Sequence, residues 1–270
     1  MKKLVITAAL VGGELSREDT PYLPLSPSEI AEEACACCKA GAAIIHLHAR
    51  DAKGNPTQDA EGFRESIRLI KEKCDPIIQV STGGSIGMTA EERMQPLELN
   101  PEMASLTAGT VNFGDGVFYN SPDMLIKFAS AMKERGVKPE IEIFDAAMVA
   151  NALWLEKKGL LTPPLHFDLV LGVPGGLPAS VKNLLFVVES LPEESTWSVA
   201  GMGRQQLTMA VLAITLGGHA RVGLEDNIYY KKGELSKGNV PLVERVVRLA
   251  DELGREVASP EEARDILGLR

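Results

Sequence analysis

No stretch of this 270-residue chain approaches the roughly 20 consecutive apolar residues that a membrane-spanning helix needs. Basic residues are also in deficit, with 28 Lys and Arg against 37 Asp and Glu. With no excess of cations to neutralise phosphates, neither a nucleic-acid partner nor an anionic membrane surface is expected, and an anionic ligand has to be met by local groups. No Gly/Ser-rich or Pro-rich linker divides the chain, so residues 1–270 are expected to form a single domain. Cysteine is scarce: the four lie at 35, 37, 38 and 74, three of them in "EEACACCKAG". That spacing resembles neither a disulfide framework nor paired zinc knuckles, and small apolar packing residues are expected. No GxGxxG follows the first apolar run and no GK[ST] closes a Gly-rich loop, which argues against dinucleotide-binding and P-loop folds.

The opening "MKKLVITAALVGGE" pairs a basic start with an apolar run, as a signal peptide does. The run is short, ends in Gly12-Gly13-Glu14 and lacks a cleavage context, so a first buried strand and a cytoplasmic protein are expected.

What is present is alternation. Eight short β-branched runs recur: "LVITAAL" from Leu4, "AIIHLHA" from Ala43, "PIIQVST" from Pro76, "MASLTAG" from Met103, "PEIEIFD" from Pro139, "HFDLVLG" from His166, "TWSVAG" from Thr196 and "HARVGLED" from His219. Helical patterns lie between them, several with their own signals: Ser26-Pro27 and Ser121-Pro122 at starts, Gly41, Gly136 and Gly159 after basic last turns. Eight βα units with short connections, followed by one or two closing helices, predict an α/β fold of the (β/α)8 TIM-barrel type.

Such barrels place chemistry at the C-terminal ends of their strands. On the second strand His46 and His48 are two apart, so the pleat puts both imidazoles on one face. Two histidines at this spacing favour a shared metal, which needs a third ligand. The eighth strand supplies it in Glu225, expected at the strand's end on the face of Arg221 and Gly223; strands eight and two both flank strand one in a closed barrel. Two imidazoles and one carboxylate leave open coordination positions, as at a catalytic zinc, and cobalt, manganese or iron tolerate the same donors.

Polar residues of one parity recur elsewhere: Gln79 and Ser81, Ser105 and Thr107, Glu140 and Glu142. A barrel interior is ordinarily filled by branched apolar side chains, so these mark a ligand-binding mouth. His166 and His219 begin their strands and fall at the opposite end. Three Gly-rich loops, "STGGSIG", "LGVPGGLPAS" and "AGMGRQQ", could present backbone N–H groups to an anion, with Arg204 as the nearest added cation.

Taken together, "LPLSPSEIAEEA", "HLHARD", "STGGS", "GVPGG", "GxGRxQ" and "RVGLEDN" resemble the β-keto acid cleavage enzymes over essentially the whole chain. The resemblance implies a zinc-bearing TIM barrel, usually a homotetramer, that condenses a β-keto acid with acetyl-CoA to give acetoacetate and a new acyl-CoA. It puts the zinc ligands at His46, His48 and Glu225, the catalytic Arg and Asp at Arg221 and Asp226, and the substrate-carboxylate loop at Ser81 and Gly84. Glu14 corresponds to the residue that faces the amine in members acting on 3-keto-5-aminohexanoate, an intermediate of lysine fermentation. That compound is the expected substrate, with Glu142, Ser105 and Thr107 near it; a 5-hydroxy analogue or dehydrocarnitine are alternatives. For coenzyme A the candidates are Arg204, Gly175 and Gly176. A metal-dependent hydrolase would use the same three ligands, but it would need no acetyl-CoA.

Overall fold

A computed structural model describes residues 2–269. The eight runs become eight parallel strands: β1 (Ile6–Ala9), β2 (Ile44–Leu47), β3 (Ile77–Val80), β4 (Met103–Thr107), β5 (Lys138–Ile143), β6 (His166–Leu171), β7 (Thr196–Gly201) and β8 (His219–Val222). β1 pairs with both β2 and β8, which closes the sheet into a (β/α)8 TIM barrel. Helices α1 (Pro27–Ala40), α2 (Ala60–Lys71), α3 (Ala90–Met94), α4 (Pro122–Arg135), α5 (Ala147–Lys157), α6 (Val181–Val188), α7 (Gln206–Leu216) and α8 (Val240–Glu252) follow the strands in turn. Helix boundaries obey the local chemistry. Ser26 caps α1 in a reciprocal box with Glu29, Pro27 opens it, and Gly41 ends it at φ 120°; in α4 Ser121 accepts from the Met124 N–H, Pro122 opens the helix and Gly136 ends it at φ 66°.

Paired residues of parallel strands share a face, so the register sorts the side chains. Ile6, Ile45, Ile78, Leu106, Ile141, Phe167, Val199 and Val222 face the helices in the main core. The opposite parity points inward and, above an apolar bottom layer, is largely polar: Thr7, His46, Gln79, Ser105, Glu140, Asp168, Ser198 and Arg221 are all buried there. Such a column is tolerable only if its members satisfy one another. At its lower end His166 Nε2 lies 3.0 Å from Glu140 Oε2 and its Nδ1 lies 2.8 Å from Thr196 Oγ1, while His219 Nδ1 accepts from the Val5 N–H. Beneath them the final helix, α9 (Pro260–Leu267), seals the barrel by packing Ala263 and Leu267 on Ile44, Ile77 and Met103.

Three features depart from the sequence expectation. β8 ends at Val222 rather than running on to Glu225. Three small hairpins stand after β2, β4 and β8, the second of them pairing Val111–Phe113 with Gly116–Phe118. Cys35 and Cys74, expected as packing residues, form a disulfide because α1 and α2 lie side by side; Cys37 and Cys38 are free thiols. Among the described residues no helix is long and apolar enough to cross a membrane.

Candidate active site

The site is built where β2 and β8 flank β1. His46 is 1% exposed, and its Nδ1 sits 2.5 Å from Gln79 Oε1 on β3. An acceptor there fixes the proton on Nδ1 and leaves the Nε2 lone pair open. His48 follows on the same side, its ring 5.3 Å from that of His46.

Glu225 reaches both histidines by a turn and not by strand alternation. At Gly223 the backbone takes φ 152° and passes so close to β1 that a Cβ would lie 2.0 Å from the Ala9 carbonyl oxygen, a place only glycine can fill. The buried Asn239 then clamps the turn: it accepts from the Leu224 N–H at 2.7 Å and donates to Leu10 O at 3.2 Å. Glu225 Oε1 ends 3.6 Å from Nε2 of His46 and 3.6 Å from Nε2 of His48.

The ligand atoms of these three residues lie within 4.8 Å of one another, and Glu225 Oε2 is buried without a partner. An orphaned carboxylate oxygen beside two open imidazole nitrogens fits a divalent cation. Charge agrees with that role. Burial pushes His46 down to about 4, so it is neutral at pH 7. Burial would raise Glu225, but His46, His48 and Arg221 outweigh it and hold the carboxylate well below its usual range.

Arg221 organises the floor. Its Nε and Nη2 donate to the two oxygens of Asp226 at 3.1 and 2.9 Å, and Nη2 also donates to Glu225 Oε1 at 2.7 Å. Its Nη1 faces Asp168 Oδ2 at 3.4 Å and Glu142 Oε1 at 3.8 Å. Burial raises Asp226 above the ordinary carboxylate value against the pull of Arg221. Burial likewise raises Glu142, whose Oε2 accepts from Thr107 Oγ1 at 2.5 Å.

One cleft gathers most of the anticipated residues: His46, His48, Arg221, Glu225 and Asp226 on the floor, with Glu142, Ser81, Gly84 and Glu14 on the sides. Phe113, Phe118, Phe144, Val173 and Met202 form an apolar wall. Glu14 lies not on β1 but in the exposed loop beyond it.

Five residues are not brought to the cleft surface. Thr107 is buried behind Glu142, and Ser105 Oγ accepts the Thr82 N–H at 3.1 Å, holding the 81–84 loop from behind. Gly175, at φ 102°, sits where a Cβ would be 2.0 Å from Asn112 O, and Gly176 donates its N–H to Val173 O. Gly175 thus seats the 111–118 hairpin, and Gly176 packs closely on the Phe144 carbonyl. Arg204 is exposed in the single 3₁₀ turn Gly203–Gln205 before α7, away from the cleft lining.

Sequence reasoning missed Asp168, which is fully buried, accepts from Ser198 Oγ at 2.8 Å and supports Arg221 from below. Its inward parity on β6 was the available signal. It also missed Arg50, whose Nη2 donates to Gly12 O at 2.7 Å and Leu15 O at 2.9 Å, fixing the loop that holds Glu14.

Residues 3–269 match the beta-keto acid cleavage enzyme family. The chain is 56% identical, over its whole length and 99% of the relative's, to the "3-keto-5-aminohexanoate cleavage enzyme" of Fusobacterium nucleatum. It is 39% identical, over 98% of its length and 94% of the relative's, to the "3-oxoadipate:acetyl-CoA acetyltransferase" of Cupriavidus necator. The solved apo structure of ObcA superposes with a TM-score of 0.80 at 23% identity, over 92% of this chain and 66% of that one, a likeness of fold. With a match across nearly every residue and a full-length relative at this identity, the chain belongs to the β-keto acid cleavage enzyme family.

Proposed function

We propose that this chain transfers an acyl group between a β-keto acid and acetyl-CoA, and that its substrate is 3-keto-5-aminohexanoate, yielding acetoacetate and 3-aminobutanoyl-CoA. The observation that carries the reading is the Arg221–Asp226 pair set against the His46, His48 and Glu225 cluster at the base of the cleft. The Fusobacterium relative supports the substrate, and the Cupriavidus relative supports acetyl-CoA.

His46, His48 and Glu225 would hold the divalent ion, read as zinc. When bound, such an ion supplies Lewis-acid stabilisation of negative charge on the keto oxygen. Asp226, raised by burial and oriented through both oxygens by Arg221, takes the proton from C2 of the β-keto acid. The C2 carbon then attacks the acetyl thioester and the CoA thiolate leaves. The CoA thiolate adds to the C3 carbonyl, the C2–C3 bond breaks, and the acetoacetate so released takes back at C2 the proton held by Asp226 while the remaining acyl fragment departs as its CoA thioester, so no cysteine nucleophile is required. Ser81 and Gly84 receive the substrate carboxylate, and the exposed carboxylate of Glu14 meets the amine. A part in lysine degradation and a cytoplasmic homotetramer belong to the same reading; metal analysis and sedimentation check the ion and the assembly.

The test is mass spectrometry of products from metal-loaded protein, 3-keto-5-aminohexanoate and acetyl-CoA, with a control lacking the thioester. Acetoacetate and 3-aminobutanoyl-CoA should form only when acetyl-CoA is present. An acyl-CoA formed only from a different β-keto acid would sink the amine assignment, and turnover without acetyl-CoA would identify a hydrolase.

A further inference from the structure

Behind the 81–84 loop lies a buried cation with no ion-pair partner among the described residues. Arg93 stands on α3, is 2% exposed, and gives every bond of its guanidinium to a neutral acceptor. Nε donates to Thr82 O at 2.7 Å, Nη1 to Tyr119 O at 2.9 Å and Nη2 to Asn120 Oδ1 at 2.7 Å. The same group is stacked between the rings of Phe118 and Phe128, at 4.5 and 4.8 Å from their centroids. Phe118 lines the cleft, and the Arg93 Cγ would lie 3.3 Å from a Cβ at Gly84. Gln58 completes the attachment by donating to both Ser81 O and Arg93 O.

A buried guanidinium ordinarily has an anionic partner, because desolvating the charge is costly. Arg221 meets carboxylates, and Arg255, which also contacts only carbonyls, caps the C-terminal end of α7 through Ala213 O, Ile214 O and Gly217 O. Arg93 has neither arrangement. Its acceptors belong to the loop at the cleft wall and to the segment that follows the 111–118 hairpin. The carboxylate whose field favours its charge is Glu142, which itself lines the cleft, so the charge is balanced through the cleft and not by a direct ion pair.

We infer that Arg93 is a positioning and specificity-determining residue: it braces the 81–84 loop, and its buried charge makes the cleft select a ligand bearing a carboxylate over its neutral analogue. In a water-poor interior a charge acts across one layer of backbone far more strongly than in bulk solvent. The inference rests on the proposal that Ser81 and Gly84 receive the substrate carboxylate.

Calorimetric titration of metal-loaded protein with acetoacetate and with its near-isosteric neutral amide, acetoacetamide, tests it without requiring turnover. Arg93→Gln should weaken acetoacetate about tenfold or more while changing acetoacetamide by less than about threefold. Arg93→Lys, which keeps the cation, should retain most of the preference, and it decides the question alone if the glutamine variant does not fold. Equal losses for both ligands, or a lysine variant as impaired as the glutamine one, would overturn the inference and leave Arg93 a structural brace. Ser81→Ala separates the two levels. If it weakens acetoacetate and the Arg93 variants do not, only the inference falls; if it changes neither ligand, the carboxylate sits elsewhere and both fall.

Discussion

Arg221 carries one positive charge among four carboxylates, and this imbalance governs the chemistry of Asp226. Asp168 and Glu142 are both raised by burial, with Glu140 adding to the effect on each, so the guanidinium is left chiefly to Asp226 and Glu225. Asp226 therefore keeps a fixed orientation while remaining a better proton acceptor than an exposed aspartate. Asp226→Asn preserves shape and one acceptor for Arg221 but removes the base. It should lower kcat by about a thousandfold, within the range typical of a lost general base, while bound metal stays near one per chain by elemental analysis. Loss of the metal in this variant would instead make Asp226 a structural support for Glu225.

Among the elements, the strands supply the floor and the loops after them supply the walls. Phe113 and Phe118 reach the cleft on the 111–118 hairpin, and Gly175 lets that hairpin approach the loop after β6. Gly175→Ala combines a strained positive φ with a Cβ 2.0 Å from Asn112 O, so the hairpin has to move. The Michaelis constant for the β-keto acid should rise about tenfold, with a lowered melting temperature and unchanged metal content; unaltered kinetics would show that the hairpin takes no part in the cleft. Sequence alone displayed the strands and their caps because periods of two and 3.6 and cap residues are local signals. It displayed His46 and His48 for the same reason. Glu225 was found through barrel closure, although the path to it is a turn dictated by Gly223. Parity placed Ser105 and Thr107 inside the barrel but carried no information on depth. The hairpins have strands of only two or three residues, too short for a period to show. Arg93 and the Cys35–Cys74 pair depend on which segments pack together, and an arginine following two glutamates in a short helix reads as surface.

At the scale of the whole barrel, the three candidate ligands come from segments on either side of β1, so an ion held by them would tie β2 to the β8 turn across the closure of the sheet. Imidazole has to be unprotonated to bind a metal, which couples stability to pH. In the metal-free protein, burial depresses His46 from 6.5 to about 4. The unfolded chain therefore takes up this proton first as pH falls below about 6.5, and the fold loses the corresponding stability progressively until pH reaches about 4. The metal adds a separate increment, about 4 kcal/mol at a free concentration a thousandfold above its dissociation constant. That increment shrinks in acid as protons compete for the ligands. Urea denaturation of metal-loaded and chelated protein between pH 7.5 and about 4.5 should give two curves that both fall toward acid and converge there. A metal-dependent gap that stays constant across this range would mean that the stabilising ion is not held by histidine, and would remove His46 and His48 from the site.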